Sequence, residues 1–184
     1  MMHFLVVVGI FLILLVSAAG YGYYYRRSHR TPQTTWEQLL ARLAVVDSER
    51  IQQIAFDVID ASGQPRTDDG AKELKPEEIW RLVDGMRGLE ILERNSLVLI
   101  DIAFHLQRWY PEALIAAEEL RLKAREIEWH VGRLRAAAHT NELEGGSAND
   151  AQNTAAAYYL MTRRLRSLYE TGRFPMLADL NRAL

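Results

Sequence analysis

Residues 97–106 read Leu-Val-Leu-Ile-Asp-Ile-Ala-Phe-His-Leu. No proline or glycine interrupts them, and apolar side chains fall at almost every angle around a helix of 3.6 residues per turn. A helix apolar on all sides belongs in the middle of a bundle or in a membrane. Ten residues rise only about 15 Å, well short of a hydrocarbon core of about 30 Å, and Asp101 and His105 interrupt the run. The stretch therefore predicts the central core helix of an all-α domain.

Upstream, Pro76-Glu77-Glu78 marks a helix start, with proline at a position where the missing N–H costs nothing and acids near the positive end of the dipole. The spacing predicts one helix from there to about residue 109, with Gly85 and Gly88 as places to kink or split it. Downstream, Trp109-Tyr110-Pro111-Glu112 predicts a tight reversal into a helix over 112–138. Ala113, Ala117, Leu120, Ala124, Ile127, Val131, Leu134 and Ala138 alternate steps of four and three, which is a heptad seam whose alanines admit a close partner. Ile115, Leu122 and Trp129 form a second stripe at intervals of seven, on the side away from the seam. Either another helix of the domain covers that stripe, or it is left for a partner or a second copy. Tryptophan is enriched at such contacts. Glu119 and Lys123 are spaced as an i,i+4 ion pair.

The remaining helices are shorter or later in the chain. Thr35-Trp36-Glu37-Gln38 fits a capping box and predicts a helix over 36–46. Asp47-Ser48 caps a second over 49–61, where Ile51, Ile54, Ala55, Val58 and Ile59 keep the helical period. Residues 63–75 are polar and hold Gly, Pro and Asp-Asp-Gly, which predicts a surface loop. Asp150 is a good N-cap for a helix over 151–170, with Gly172 as its C-cap. Leu177, Leu180 and Leu184 suggest a short final helix.

The N-terminus is of another kind. Residues 4–16 read Phe-Leu-Val-Val-Val-Gly-Ile-Phe-Leu-Ile-Leu-Leu-Val, and Tyr21, Tyr23, Tyr24 and Tyr25 extend the uncharged run to Arg26. About 20 mostly apolar residues span a bilayer as a helix, and tyrosines suit the headgroup zone. Residues 1–25 are thus expected to be a transmembrane signal-anchor, 26–34 a basic juxtamembrane linker, and 35–184 a helical bundle domain. Arg26, Arg27 and Arg30 follow the run while Met-Met-His precedes it. The positive-inside rule then places the N-terminus outside and the domain in the cytoplasm, at the cell membrane. The three arginines are set to contact anionic headgroups. Val16-Ser17-Ala18 could serve a signal peptidase, but no positive n-region precedes the run and the arginines oppose translocation.

The net charge of −2 gives no reason to expect nucleic acid as a partner. The absence of cysteine excludes disulfides, thiolate metal sites and cysteine catalysis. No P-loop, His-Glu-x-x-His or Gly-x-Ser-x-Gly occurs. The residues three before His105, His130 and His139 are Ile102, Ile127 and Ala136, so the Glu-x-x-His pattern of di-iron bundles is absent. Asp101 and His105 are the best remaining candidates. Four apart, they share one helix face and form an expected buried polar pair, bonded to each other or to an arginine, tyrosine or tryptophan of a neighbouring helix. The sharper alternative is a metal or acid–base site. Glu126 and His130 repeat the spacing on the next helix, but a straight hairpin offsets them by roughly 9 Å, too far to share one ion with ligand bonds near 2 Å. Arg163, Arg164 and Arg166 read as a solvated face in preference to a phosphate or headgroup contact.

The expectation is an all-α chain: one N-terminal transmembrane helix, then an irregular antiparallel bundle of five or six helices. It would serve as a membrane-anchored scaffold or adaptor, not as an enzyme. No cofactor is implied. Its partners would be the lipid bilayer and, through the helix over 112–138, a protein or a second copy. A tethered enzyme or metal protein using Asp101 and His105 is the alternative.

Overall fold

The computed structural model describes residues 34–66, 74–107, 109–140 and 146–184. The apolar run of 1–25 and Arg26, Arg27 and Arg30 lie outside the described residues. Those described are all-helical and form a bundle, and Thr35–Leu184 make one compact unit. The helices are α1 (Trp36–Ala41), α2 (Ser48–Phe56), α3 (Pro76–Leu82), α4 (Gly85–Leu106), α5 (Ala113–Thr140), α6 (Gly146–Thr171) and α7 (Leu177–Ala183). Among the described residues no helix is long and apolar enough to cross a membrane.

Local chemistry explains the boundaries of α1 and α2. Thr35 and Gln38 form the capping box reciprocally, at 3.3 and 3.1 Å. Helix α1 ends at Ala41, short of the expected residue 46, because a side chain of another helix claims the following backbone. Asn95 of α4 accepts from the Ala44 N–H at 3.0 Å and donates to the Ala44 carbonyl at 2.8 Å. The same Nδ2 reaches the Tyr158 hydroxyl of α6 at 3.3 Å. Asp47 caps α2 through the Arg50 N–H. That helix stops at Phe56, five residues early, since Asp60 folds the next segment on itself. One carboxylate oxygen of Asp60 accepts from the Ser62 N–H, the Ser62 hydroxyl and the Gln64 N–H. These bonds hold the Asp60 carboxyl below its ordinary pKa, the Ser62 hydroxyl contributing most.

The expected helix over 76–109 is two helices. Asp84 and Gly85 both take left-handed backbone, with φ of +62°, and two such residues in succession end any right-handed helix. Gly88 is required at the break. A Cβ there would lie 1.6 Å from the Val83 carbonyl oxygen. This division raises the number of helices to seven among the described residues.

Helix α6 lies at the centre. It packs against α2, α3, α4, α5 and α7, while α1 sits on α4. Ala148, Ala151, Ala155, Ala156 and Ala157 are buried on α6, together with Tyr158, Met161, Leu165, Leu168 and Tyr169. The α5 seam from Ala113 through Leu134 is buried throughout. The run 97–106 is less central than its composition suggests. Leu97 is 58% exposed, because α4 is covered by α1, α5 and α6 but not on its outer side. Cross-helix contacts fix the directions. Phe104 of α4 lies under Arg121 of α5 while Glu93 meets Arg135, so the two helices are antiparallel.

Asn95→Ala should lower stability by about 2 kcal/mol in urea unfolding, because it strands two part-buried backbone groups of residue 44 as well as removing its own bonds. A loss under about 1 kcal/mol would contradict the bracket.

Candidate functional site

Asp101 and His105 do share a face of α4, but they do not bond to each other. Asp101 accepts from the Arg42 guanidinium at 2.8 Å, and the two side chains are 41% and 45% exposed. The His105 ring lies 5.2 Å from that of Trp109 and 6.2 Å from that of Trp36. Both residues are half-buried, not buried as expected, since the face they share is covered by the six-residue α1. Their shared function in the fold is to seat α1: Asp101 takes the residue that ends α1, and His105 the first residue of it.

The buried ionisable cluster lies elsewhere, between α5 and the start of α6. His130 Nδ1 is 2.8 Å from Asp150 Oδ1, with side chains only 9% and 8% exposed. An ionised carboxylate can only accept, so Nδ1 carries the proton and donates. Arg133 Nε lies 3.4 Å from the other Asp150 oxygen. The Arg133 guanidinium covers the Trp129 ring at 4.8 Å, and Trp129 meets the His130 ring edge-on at 4.8 Å. Asp150 is therefore not the N-cap its sequence position suggests. Helix α6 starts four residues earlier, at Gly146, which turns Asp150 inward against α5. A second buried carboxylate, Asp57, accepts from Gln152 Nε2 at 2.5 Å and from the Leu74 N–H at 3.4 Å. Both carboxylates therefore sit in hydrogen bonds that cross between segments. Among the described residues, no three His, Asp or Glu side chains gather as metal ligands.

The surface charges also pair differently from the expected pattern. Glu119 bonds Arg164 of α6, and Lys123 takes Glu126 at 2.7 Å. Arg163 donates to the Ala61 carbonyl at 2.7 Å. Two of the three clustered arginines are thus docked on neighbouring segments. Burial raises the Tyr158 hydroxyl pKa, opposed by the Asn95 bond and the nearby Arg166 charge. Burial alone raises that of Tyr169, whose hydroxyl has no acceptor among the described residues.

The second stripe of α5 is open. Ile115, Leu122 and Trp129 are 63, 65 and 57% exposed, because α4 and α6 cover the opposite side of α5. Beside it, between α4 and α5, runs a groove of about 650 Å³. Leu97, Ile100 and Ala124 line it, with Arg94 and Arg125 among its charged residues. Comparison with protein families, with curated proteins and with solved structures returns no match.

Asp101→Asn should cost under about 1 kcal/mol, as exposed ion pairs do. His130→Ala should cost about 3 kcal/mol, because it leaves the Asp150 carboxylate buried beside a single, longer arginine contact. Urea unfolding of both variants checks this; the reverse order would refute the assignment of the buried pair.

Proposed function

We propose that this chain is a membrane-anchored helical scaffold with no chemistry of its own. On this reading residues 1–25 are a transmembrane signal-anchor, with the N-terminus outside and the bundle in the cytoplasm. Arg26, Arg27 and Arg30 rest among anionic headgroups, and the face of α5 bearing Ile115, Leu122 and Trp129 receives a protein partner or a second copy. The observation that carries the reading is that stripe. Three large apolar side chains recur every two turns along the longest helix and stay out of the core. Scattered apolar residues are ordinary on a surface; an aligned row with a tryptophan is the pattern of a contact. Tethering supports it further, since confinement to a membrane raises the effective concentration of partners held there.

The enzymatic alternative draws little support from its own residues. Asp101 is committed to Arg42, and His105 is bracketed by indole rings.

The triple variant Ile115→Glu, Leu122→Glu, Trp129→Glu tests the face in the full-length chain in membranes. Its helical signal should be retained and its unfolding midpoint little changed, because exposed substitutions act within about 0.5 kcal/mol each. Chemical cross-linking through α5 should fall at least tenfold, as expected when a contact centred on tryptophan is lost. Unchanged cross-linking would contradict the proposal.

A further inference from the structure

The third arginine of the 163–166 cluster differs from its neighbours. Arg166 is half-buried and makes no hydrogen bond or ion pair among the described residues; of its nitrogens, Nε alone is buried without an acceptor. A guanidinium always carries its charge and holds its donors in a fixed plane, so a buried, unmatched N–H is costly. Arg166 lines a largely enclosed cavity of about 50 Å³ between α2 and α6. Helical spacing explains the rest of the lining. Tyr159, Thr162 and Arg166 follow i, i+3, i+7 on α6, and Ser48 and Gln52 follow i, i+4 on α2. Tyr158 adds a further hydroxyl, and Val46, Ile51 and Leu184 complete the lining with apolar side chains.

The composition of this lining is selective. Every polar side chain on it is a hydroxyl, an amide or the guanidinium, and none is acidic. The Tyr158 oxygen accepts from Asn95, which leaves its own hydrogen free to donate. The Thr162 hydroxyl is already committed to the Tyr159 carbonyl at 2.8 Å. Of the two acids that flank Ser48, Asp47 is paired with Arg50 at 2.9 Å and Glu49 is exposed to solvent. Size sets a further limit. A cavity this large exceeds the roughly 15 Å³ needed for one water and falls far below the about 300 Å³ of a drug-sized pocket.

We propose that this cavity is a binding site for a small tetrahedral oxyanion of the phosphate class, held by the Arg166 guanidinium and the surrounding hydroxyl and amide donors. The anion supplies the counter-charge that Arg166 lacks, and it ties α2 to α6. The site is independent of the α5 face and of the anchor. Free phosphate and the phosphate of a small monoester share this chemistry.

Equilibrium dialysis of the full-length chain in neutral detergent, with inorganic phosphate in one arm and glycerol 3-phosphate in the other, tests it at constant ionic strength. One phosphate per chain should bind saturably, with affinity at least tenfold weaker in Arg166→Gln. Binding in the inorganic arm alone assigns the site to the free ion; binding in both extends it to monoesters. Thermal unfolding supplies a second readout. In chloride, Arg166→Gln should be at least as stable as the natural chain, because it removes an unmatched cation. In phosphate the natural chain should become the more stable of the two. Absence of saturable binding, equal binding by the variant, or no crossing of stabilities would overturn the proposal, leaving Arg166 satisfied by water.

Discussion

The crowding around α6 is the constraint on which the rest of the bundle depends. Five of the other six helices lie against it. A helix covered from so many directions must be slim, and the buried row from Ala148 through Ala157 meets that need. The cost of alanine is little apolar area per residue, at about 25 cal/mol per Å². The larger residues Tyr158, Met161, Leu165 and Leu168 fill the half where more space remains. Polar bonds supply the register that small side chains cannot. Asp150 meets His130 near one end of α6, Gln152 meets Asp57, and Tyr158 meets Asn95. Each bond reaches α6 from a different segment, and each is costly to break one-sidedly because its polar groups are buried or part-buried.

Helix α5 shows the opposite situation. Its seam is matched to α6 and α4, and that match leaves its far side bare. The exposed stripe is therefore a consequence of how the core closes. A bundle with a helix beyond α5 would bury Ile115, Leu122 and Trp129; among the described residues none stands there. Arg133 lies across the Trp129 ring, and so links the exposed face to the buried His130–Asp150 pair one residue away. A partner that moved that arginine would act directly on the contact that holds α5 to α6.

Periodic features were legible from the amino-acid order, and single polar residues were not. The α5 seam follows from steps of four and three, and the Thr35 box from two residues three apart. Both are local, so the sequence carries them complete. Asn95 is different: in a mid-helix position it reads as an indifferent polar residue, and its value comes from a backbone segment 51 residues away. Asp101 and His105 stood out because they interrupt an apolar run, yet their partners Arg42 and Trp36, at the two ends of α1, lie 59 and 69 residues upstream. Asp150 looked like a cap because the glycines before it look like a loop. Once α6 starts at Gly146, the same carboxylate points into the bundle. In each case the missing information was which helix lies opposite, and hydrophobic period alone does not supply it.

What makes the chain more than a stable bundle is the claim that its open α5 face is free in isolation and covered at the membrane. Hydroxyl-radical footprinting of Trp129 addresses this directly, with oxidation rates compared between the purified chain and the chain in its native membrane. The account predicts ready oxidation of Trp129 when purified, as its 57% exposure requires, and severalfold protection in the membrane, while half-buried Trp80 changes little. Equal oxidation of Trp129 in both settings would contradict it.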